Sequence, residues 1–283
     1  MVKSIPADIA LAEPCKAEAS FASSGPILIP GGTFGNWEQI SVPCQNNDGP
    51  KAGLWYEVNG LAGTGLGTLE DTLILFAWKQ VVELWNDLDF FLTEEGVNGK
   101  KKVFSTYGSP GVGKSYEVWA WCLQIAWQKQ LDVLWVHADK LTKATCIQKR
   151  GNIWYRYRAT PSELSLILEN LPAKVVVFDG YEYDMTLYKS CFPHLLSEKF
   201  PDRNVVVVSS LGAGLQPKHL GLRFEQFKQF EMDPWTLEQF LCACKSSVFF
   251  DSVRKYFDVD ESRPSDAEMV ETLVKQKFLL CWG

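Results

Sequence analysis

Histidine is nearly absent. The 283 residues hold three, His137, His194 and His219, widely separated and without the spacing of a zinc-ligand set. The eight cysteines contain no C-x-x-C pair; the closest two, Cys242 and Cys244, are one residue apart. A structural zinc is therefore not expected, and the cysteines read as reduced, mostly buried thiols of a reducing compartment. An excess of positive charge is missing as well. Lys and Arg number 28 against 34 Asp and Glu, a net charge of −6, which argues against a general nucleic-acid-binding surface though not against a local basic patch. No apolar run reaches the roughly eighteen residues of a membrane span, so none is expected. The opening stretch MVKSIPADIALAEPCKAEAS lacks the apolar centre of a conventional signal peptide, which leaves only a weak or unconventional export signal open.

What is present is a core and a loop. Apolar residues make up 46% of the chain, enough for a sizeable interior. Gly108-Ser109-Pro110-Gly111-Val112-Gly113-Lys114-Ser115 matches G-x-x-x-x-G-K-[ST] in full. In such a loop, backbone N–H groups converge on nucleotide phosphates, and glycines allow the tight path. Lys114 is placed to reach the β- and γ-phosphates, and Ser115 to offer its hydroxyl to Mg²⁺. Tyr116 follows on the helix that directs its positive end at the anion. The flanks fit: KKVFSTYG (101–108) reads as a strand. KSYEVWAWCLQIAWQKQ (114–130) carries Val118, Trp121, Cys122, Ile125 and Ala126 at helical spacing.

The rest of the chain falls into three parts. Residues 1–66, rich in Gly, Pro, Ser and Ala, read as a partly irregular N-terminal extension. Residues 67–250 form the main domain, and 251–283 a C-terminal helical segment. Within the domain, 68–96 reads as one helix, capped by Thr68 or Thr72 and ended by Gly96. Its inner face would be Leu75, Trp78, Val82, Trp85 and Phe90. Lysines 100–102 read as a solvated entry to the first strand in preference to a targeting signal. Strands follow at 132–139, 174–180, 204–210 and 227–235, with a hairpin over 144–159 turning near Arg150-Gly151-Asn152. Helices are expected at 160–171, starting from Thr160 and Pro161, and at 236–248; one between 183 and 200 could be interrupted by Pro193. Continuous valine runs between helices indicate a parallel sheet covered on both faces. The expected fold is α/β: a P-loop three-layer sandwich with a mainly parallel sheet.

Asp179 ends the run Val175–Phe178, where a carboxylate at a strand tip can enter the Mg²⁺ shell. In many ATPases with an additional strand between the two motifs, a Glu that activates the attacking water follows this Asp. Here Gly180 stands there, and Glu182 is the candidate for that role, with Asp184 as an alternative. Hydrolysis is thus less firmly indicated than binding. Ser209 or Ser210, at the end of the VVVV strand, is a candidate polar sensor of the γ-phosphate or an ordinary strand end. Arg223 reads as an arginine finger or a surface residue. Arg150, Arg156 and Arg158 in the hairpin read as a phosphate-contacting lid, a partner surface or outward-facing strand charges.

In order, the loop, the hairpin, VVVFDG, VVVVSS and FEMDPWTLEQF resemble the P-loop NTPase module of Crinkler-type effectors and retrotransposon hot spot proteins. The resemblance covers about residues 70–250. It rests on Gly108–Ser115, on Asp179-Gly180 and above all on Met232-Asp-Pro-Trp-Thr-Leu-Glu-Gln-Phe240. It implies an ATP- and Mg²⁺-binding NTPase, a slow ATPase or nucleotide-dependent switch that acts with a protein or nucleic-acid partner. The chain would be cytoplasmic or nuclear, or secreted into a host cell if a true effector. LILFAWK (73–79) only partly echoes the Leu-x-Leu-Phe-Leu-Ala-Lys header of some Crinklers. About 35 residues after the last helix are too few for a nuclease domain, so no nuclease activity is implied. A nucleotide or small-molecule kinase, and a module that holds nucleotide without turnover, remain the alternatives; the chemistry encodes no base preference beyond adenine being the commoner choice.

Overall fold

The computed structural model describes residues 28–29, 32–33, 37–42, 49–66, 72–93, 102–138, 143–181, 191, 194, 199–210, 226–253 and 267–282. Twelve strands run through them: β1 (Leu28–Ile29), β2 (Gly32–Thr33), β3 (Glu38–Ile40), β4 (Leu54–Val58), β5 (Leu73–Ala77), β6 (Lys102–Gly108), β7 (Val133–Ala138), β8 (Ala144–Arg150), β9 (Ile153–Ala159), β10 (Val175–Tyr181), β11 (Asn204–Ser209) and β12 (Gln226–Met232). The helices are α1 (Lys79–Thr93), α2 (Lys114–Gln128), α3 (Pro161–Asn170), α4 (Leu237–Ala243), α5 (Ser247–Val253) and α6 (Ala267–Trp282).

The main sheet has the order β12-β6-β11-β10-β7-β8-β9-β3. Its first five strands are mutually parallel; the β7–β8, β8–β9 and β9–β3 pairings are antiparallel. The valine runs explain the layers. Along β10, Val175 and Val177 enter one apolar cluster and Val176 and Phe178 the other. Leu134 and Val136 of β7, and Val205 and Val207 of β11, join the second cluster, while Val133, Trp135, Val206 and Val208 join the first. A strand with both faces buried needs no polar alternation, which is why these read as continuous hydrophobic runs. Helix α2 fills the first cluster with Val118, Trp119, Trp121, Cys122 and Ile125; α3 closes the second with Leu164, Ile167 and Leu168. This is the α/β sandwich of P-loop NTPases, with β11 inserted between the loop-bearing β6 and the Asp179-bearing β10.

The expected hairpin and its turn are present as β8 and β9. Helix α3 starts where expected: Thr160 accepts from the Glu163 amide while Glu163 reaches back to the Thr160 amide, a capping box with Pro161 behind it. The single helix expected over 68–96 is corrected. Leu73–Ala77 is a strand, paired antiparallel with β4 from Leu54↔Ala77 to Val58↔Leu73, and the helix starts only at Lys79. A short apolar run fits either structure by periodicity, and here the partner strand decided. The inner face of α1 changes accordingly to Val81, Leu84, Trp85, Leu88 and Phe91, leaving Phe90 55% exposed. Thr72 caps no helix and instead donates to Asn59 Oδ1 at 2.8 Å; Thr68, Gly96 and Pro193 lie outside the described residues. The helix expected over 236–248 is two helices, α4 and α5, the first opened by a Thr236–Gln239 capping box. Residues before 67 contribute to the same interior: Val58 and Leu61 are buried in the first cluster. Among the described residues, no helix is long and apolar enough to cross a membrane.

Candidate functional site

The phosphate-loop motif runs from the end of β6 through Ser109–Gly113 into α2, at the carboxyl edge of the parallel strands. Its first glycine is dictated by a neighbour: a Cβ on Gly108 would run into the backbone carbonyl of Met232 on β12. Gly111 and Gly113 take left-handed conformations (φ 81° and 96°), the second opening α2 without a side-chain cap. The loop is anchored from below. Val112 is buried, and its carbonyl accepts a hydrogen bond from Trp235 Nε1 at 3.3 Å. Ser109 and Ser115 are half-buried, and Pro110 is exposed.

Lys114 is buried and lies back across the loop, donating to the carbonyls of Gly108 (2.9 Å) and Ser109 (2.7 Å). Burial lowers its ammonium pKa, and the nearby Asp179 carboxylate pulls it back up. That interaction links the loop to the tip of β10. Asp179 is 1% exposed, and its Oδ2 lies 2.5 Å from His137 Nδ1 at the matching position of β7. Gly180, where a catalytic Glu often stands, has φ 74°, and a Cβ there would lie 3.4 Å from the Ala138 carbonyl. At this left-handed φ a side chain is strained, so the backbone conformation suits Gly180 better than a Glu in that place.

Ser209, at the tip of β11 between the two motifs, is buried, and its Oγ has no hydrogen-bond partner among the described residues. A buried hydroxyl without a partner is costly, so of the two serines it is the better placed as a sensor. The hairpin arginines are dispersed: Arg150 and Arg158 are exposed, and Arg156 donates to Glu38 on β3, with Nη2 at 2.6 Å and Nε at 3.2 Å from Oε2. Tyr116, expected beside the nucleotide, turns its phenol to the Leu66 carbonyl at 3.2 Å. Glu182, Asp184 and Arg223 lie outside the described residues.

Three elements of the site escaped the sequence reading. His137 ends an apolar strand as Asp179 does, and the parallel between VLWVHAD and VVVFDG was the available signal. Residues 59–66 lie against α2 and β7: Trp119 Nε1 donates to the Asn59 carbonyl and Trp135 Nε1 to that of Thr64, each at 3.2 Å. Glu117, one turn into α2, is buried and accepts from Tyr56 of β4. Burial pushes its carboxyl up to about 8, partly offset by that hydrogen bond. No local pattern marks the contacts of residues 59–66 or the Tyr56–Glu117 pair.

Ser115 carries a hydroxyl and Asp179 a carboxylate, oxygen donors of the type that Mg²⁺ takes when one or two protein groups share it with water and phosphate.

Neither a protein-family model nor a curated protein sequence matches the chain. Among solved structures it is similar to AMPPCP-bound DnaA from Aquifex aeolicus, with 13% identity and a TM-score of 0.41 over 73% of this chain and 62% of DnaA. It is also similar to DnaI, with 16% identity and a TM-score of 0.32 over 55% of this chain and 81% of DnaI. The chain spans less than two thirds of the DnaA chain, and likeness at this level carries no argument about function.

Proposed function

We propose that this chain binds a nucleoside triphosphate, ATP being the first choice, with Mg²⁺ at the Gly108–Ser115 loop. It would act as a slow ATPase or nucleotide-dependent switch for a macromolecular partner. The observation that carries the reading is the complete phosphate loop running from β6 into α2 with the buried Lys114 folded back onto it, and the buried Asp179 near the end of β10 two strands away. A phosphate group would exchange for the two loop carbonyls now held by the Lys114 ammonium, and the loop amides and the start of α2 would cradle the remaining oxygens. Ser115 and Asp179 would hold the ion, which when bound neutralises phosphate charge. Ser209 is the proposed γ-phosphate sensor and Glu182 the proposed group that orients water.

The non-hydrolysing reading is favoured by Gly180, whose backbone disfavours the usual base position. The kinase reading has less support, since Arg156 is already engaged by Glu38. The finer assignment, to the Crinkler-type and retrotransposon hot spot modules, is supported by Asp179-Gly180 and by Met232–Phe240, whose Trp235 anchors the loop. A protein or nucleic-acid partner, and residence in the cytoplasm, the nucleus or an invaded host cell, belong to that same proposal.

The test follows γ-labelled ATP incubated with the purified chain and Mg²⁺. Released phosphate supports the ATPase, intact ATP retained on the protein the switch. A labelled acceptor would move the assignment to a kinase, and the absence of all three (released phosphate, labelled acceptor and retained ATP) would refute nucleotide binding.

A further inference from the structure

A carboxylate that serves a metal shell must keep one oxygen aimed at the ion, and a hydrogen bond to its other oxygen is the usual means. Asp179 has such a bond. His137 Nδ1 lies 2.5 Å from Asp179 Oδ2, and strand register fixes the two residues side by side on β7 and β10. With a carboxylate oxygen as its partner, Nδ1 is the atom that donates in this contact.

The ring is itself fixed by a segment distant in sequence. Gly65 passes so close that a Cβ there would run into the His137 ring. Its φ of 90° is also one that side chains rarely adopt. The flanking residues are pinned. Thr64 is fully buried, its hydroxyl donating to the Leu61 carbonyl at 2.7 Å and its own carbonyl accepting from Trp135. Leu66 accepts from Tyr116, the residue next to Ser115. The segment from Asn59 to Leu66 therefore joins the first turn of α2 to the tip of β7.

We infer that His137 is a positioning residue that orients Asp179 toward a metal–nucleotide complex, and that the glycine-rich segment Gly60–Leu66 holds His137 in that orientation. The inference rests on the proposed nucleotide site.

The experiment titrates ATP into the full chain, once with excess Mg²⁺ and once with EDTA, for wild type, His137→Asn, His137→Phe, Gly65→Ala and Lys114→Ala. In His137→Phe the Mg²⁺-dependent gain in affinity should fall about tenfold or more, the range typical of groups that orient metal ligands. Affinity in EDTA should stay at the wild-type value, which also reports an intact loop. His137→Asn carries an amide donor near the Nδ1 position and should retain most of the gain. Gly65→Ala, whose methyl would press on the His137 ring, should lower it by displacing the ring from Asp179, and provides the reading if His137→Phe does not fold. An undiminished gain in His137→Phe, or in Gly65→Ala if that is the reading available, while Lys114→Ala weakens binding in both buffers, overturns this inference and leaves the nucleotide site standing. Unchanged binding by Lys114→Ala overturns the site and the inference together.

Discussion

Glu117 gives a pH dependence whose sign and size follow from the structure. Its side chain sits in α2 among the first apolar cluster, 4% exposed, hydrogen-bonded by Tyr56. Burial raises its carboxyl from an ordinary 4.5 to about 8. The native chain thus holds a proton across that window that the unfolded chain has released. Stability falls wherever the native state binds the extra proton. Stability should therefore be unaffected by this group below about 4.5, decline as pH rises to about 8, and level off above it. At about 1.4 kcal/mol per unit the whole effect is about 3–5 kcal/mol, a large part of the stability of a typical domain. Glu117→Gln keeps a neutral hydrogen-bonding group of similar shape and removes the titration. Urea unfolding at pH 5, 7 and 9 should show the wild type losing that amount relative to Glu117→Gln between the ends of the range. Parallel pH profiles for the two proteins would refute the claim that this carboxyl is buried and neutral in the fold. Because Tyr56 belongs to β4 and Glu117 to the loop helix, the same titration should loosen the N-terminal segment from the phosphate loop.

Asp179→Asn should weaken nucleotide binding in Mg²⁺ far more than in EDTA, and equal losses in paired titrations would make Asp179 structural. Glu182→Gln should leave ATP affinity nearly intact while turnover drops at least tenfold, about 1.4 kcal/mol in the barrier; wild-type turnover would move the role elsewhere. Gly108→Ala forces β12 away from β6, since the new methyl meets the Met232 carbonyl. It should cost about 1–3 kcal/mol of stability in urea unfolding, and a neutral result would mean that the two strands can part freely.

The phosphate loop, the valine strands and the hairpin were legible because each is specified locally. A motif fixes the loop, double burial fixes the strands, and Arg150-Gly151-Asn152 fixes the turn. Leu73–Ala77 was not, because an apolar run of five residues takes its identity from a partner, and its partner β4 lay in a segment that read as irregular. The place of Asp179 at the end of a buried valine strand was legible, whereas that of His137 beside it follows only from the register of β7 against β10. The anchoring of Val112 by Trp235 crosses 123 positions of sequence, and no periodicity records it. Likewise Gly65 reads as one more loop glycine until the ring it abuts is known.

The central claim is that Lys114 faces nucleotide phosphates, and a calorimetric titration of Mg²⁺-ATP into wild type and Lys114→Ala tests it most directly. Charge-assisted contacts contribute about 1.5–3 kcal/mol each, part of which replaces the bonds Lys114 makes to Gly108 and Ser109. Wild type should bind saturably, and Lys114→Ala about tenfold or more weakly. Equal affinity in the two proteins, or no binding by the wild type, would contradict the account.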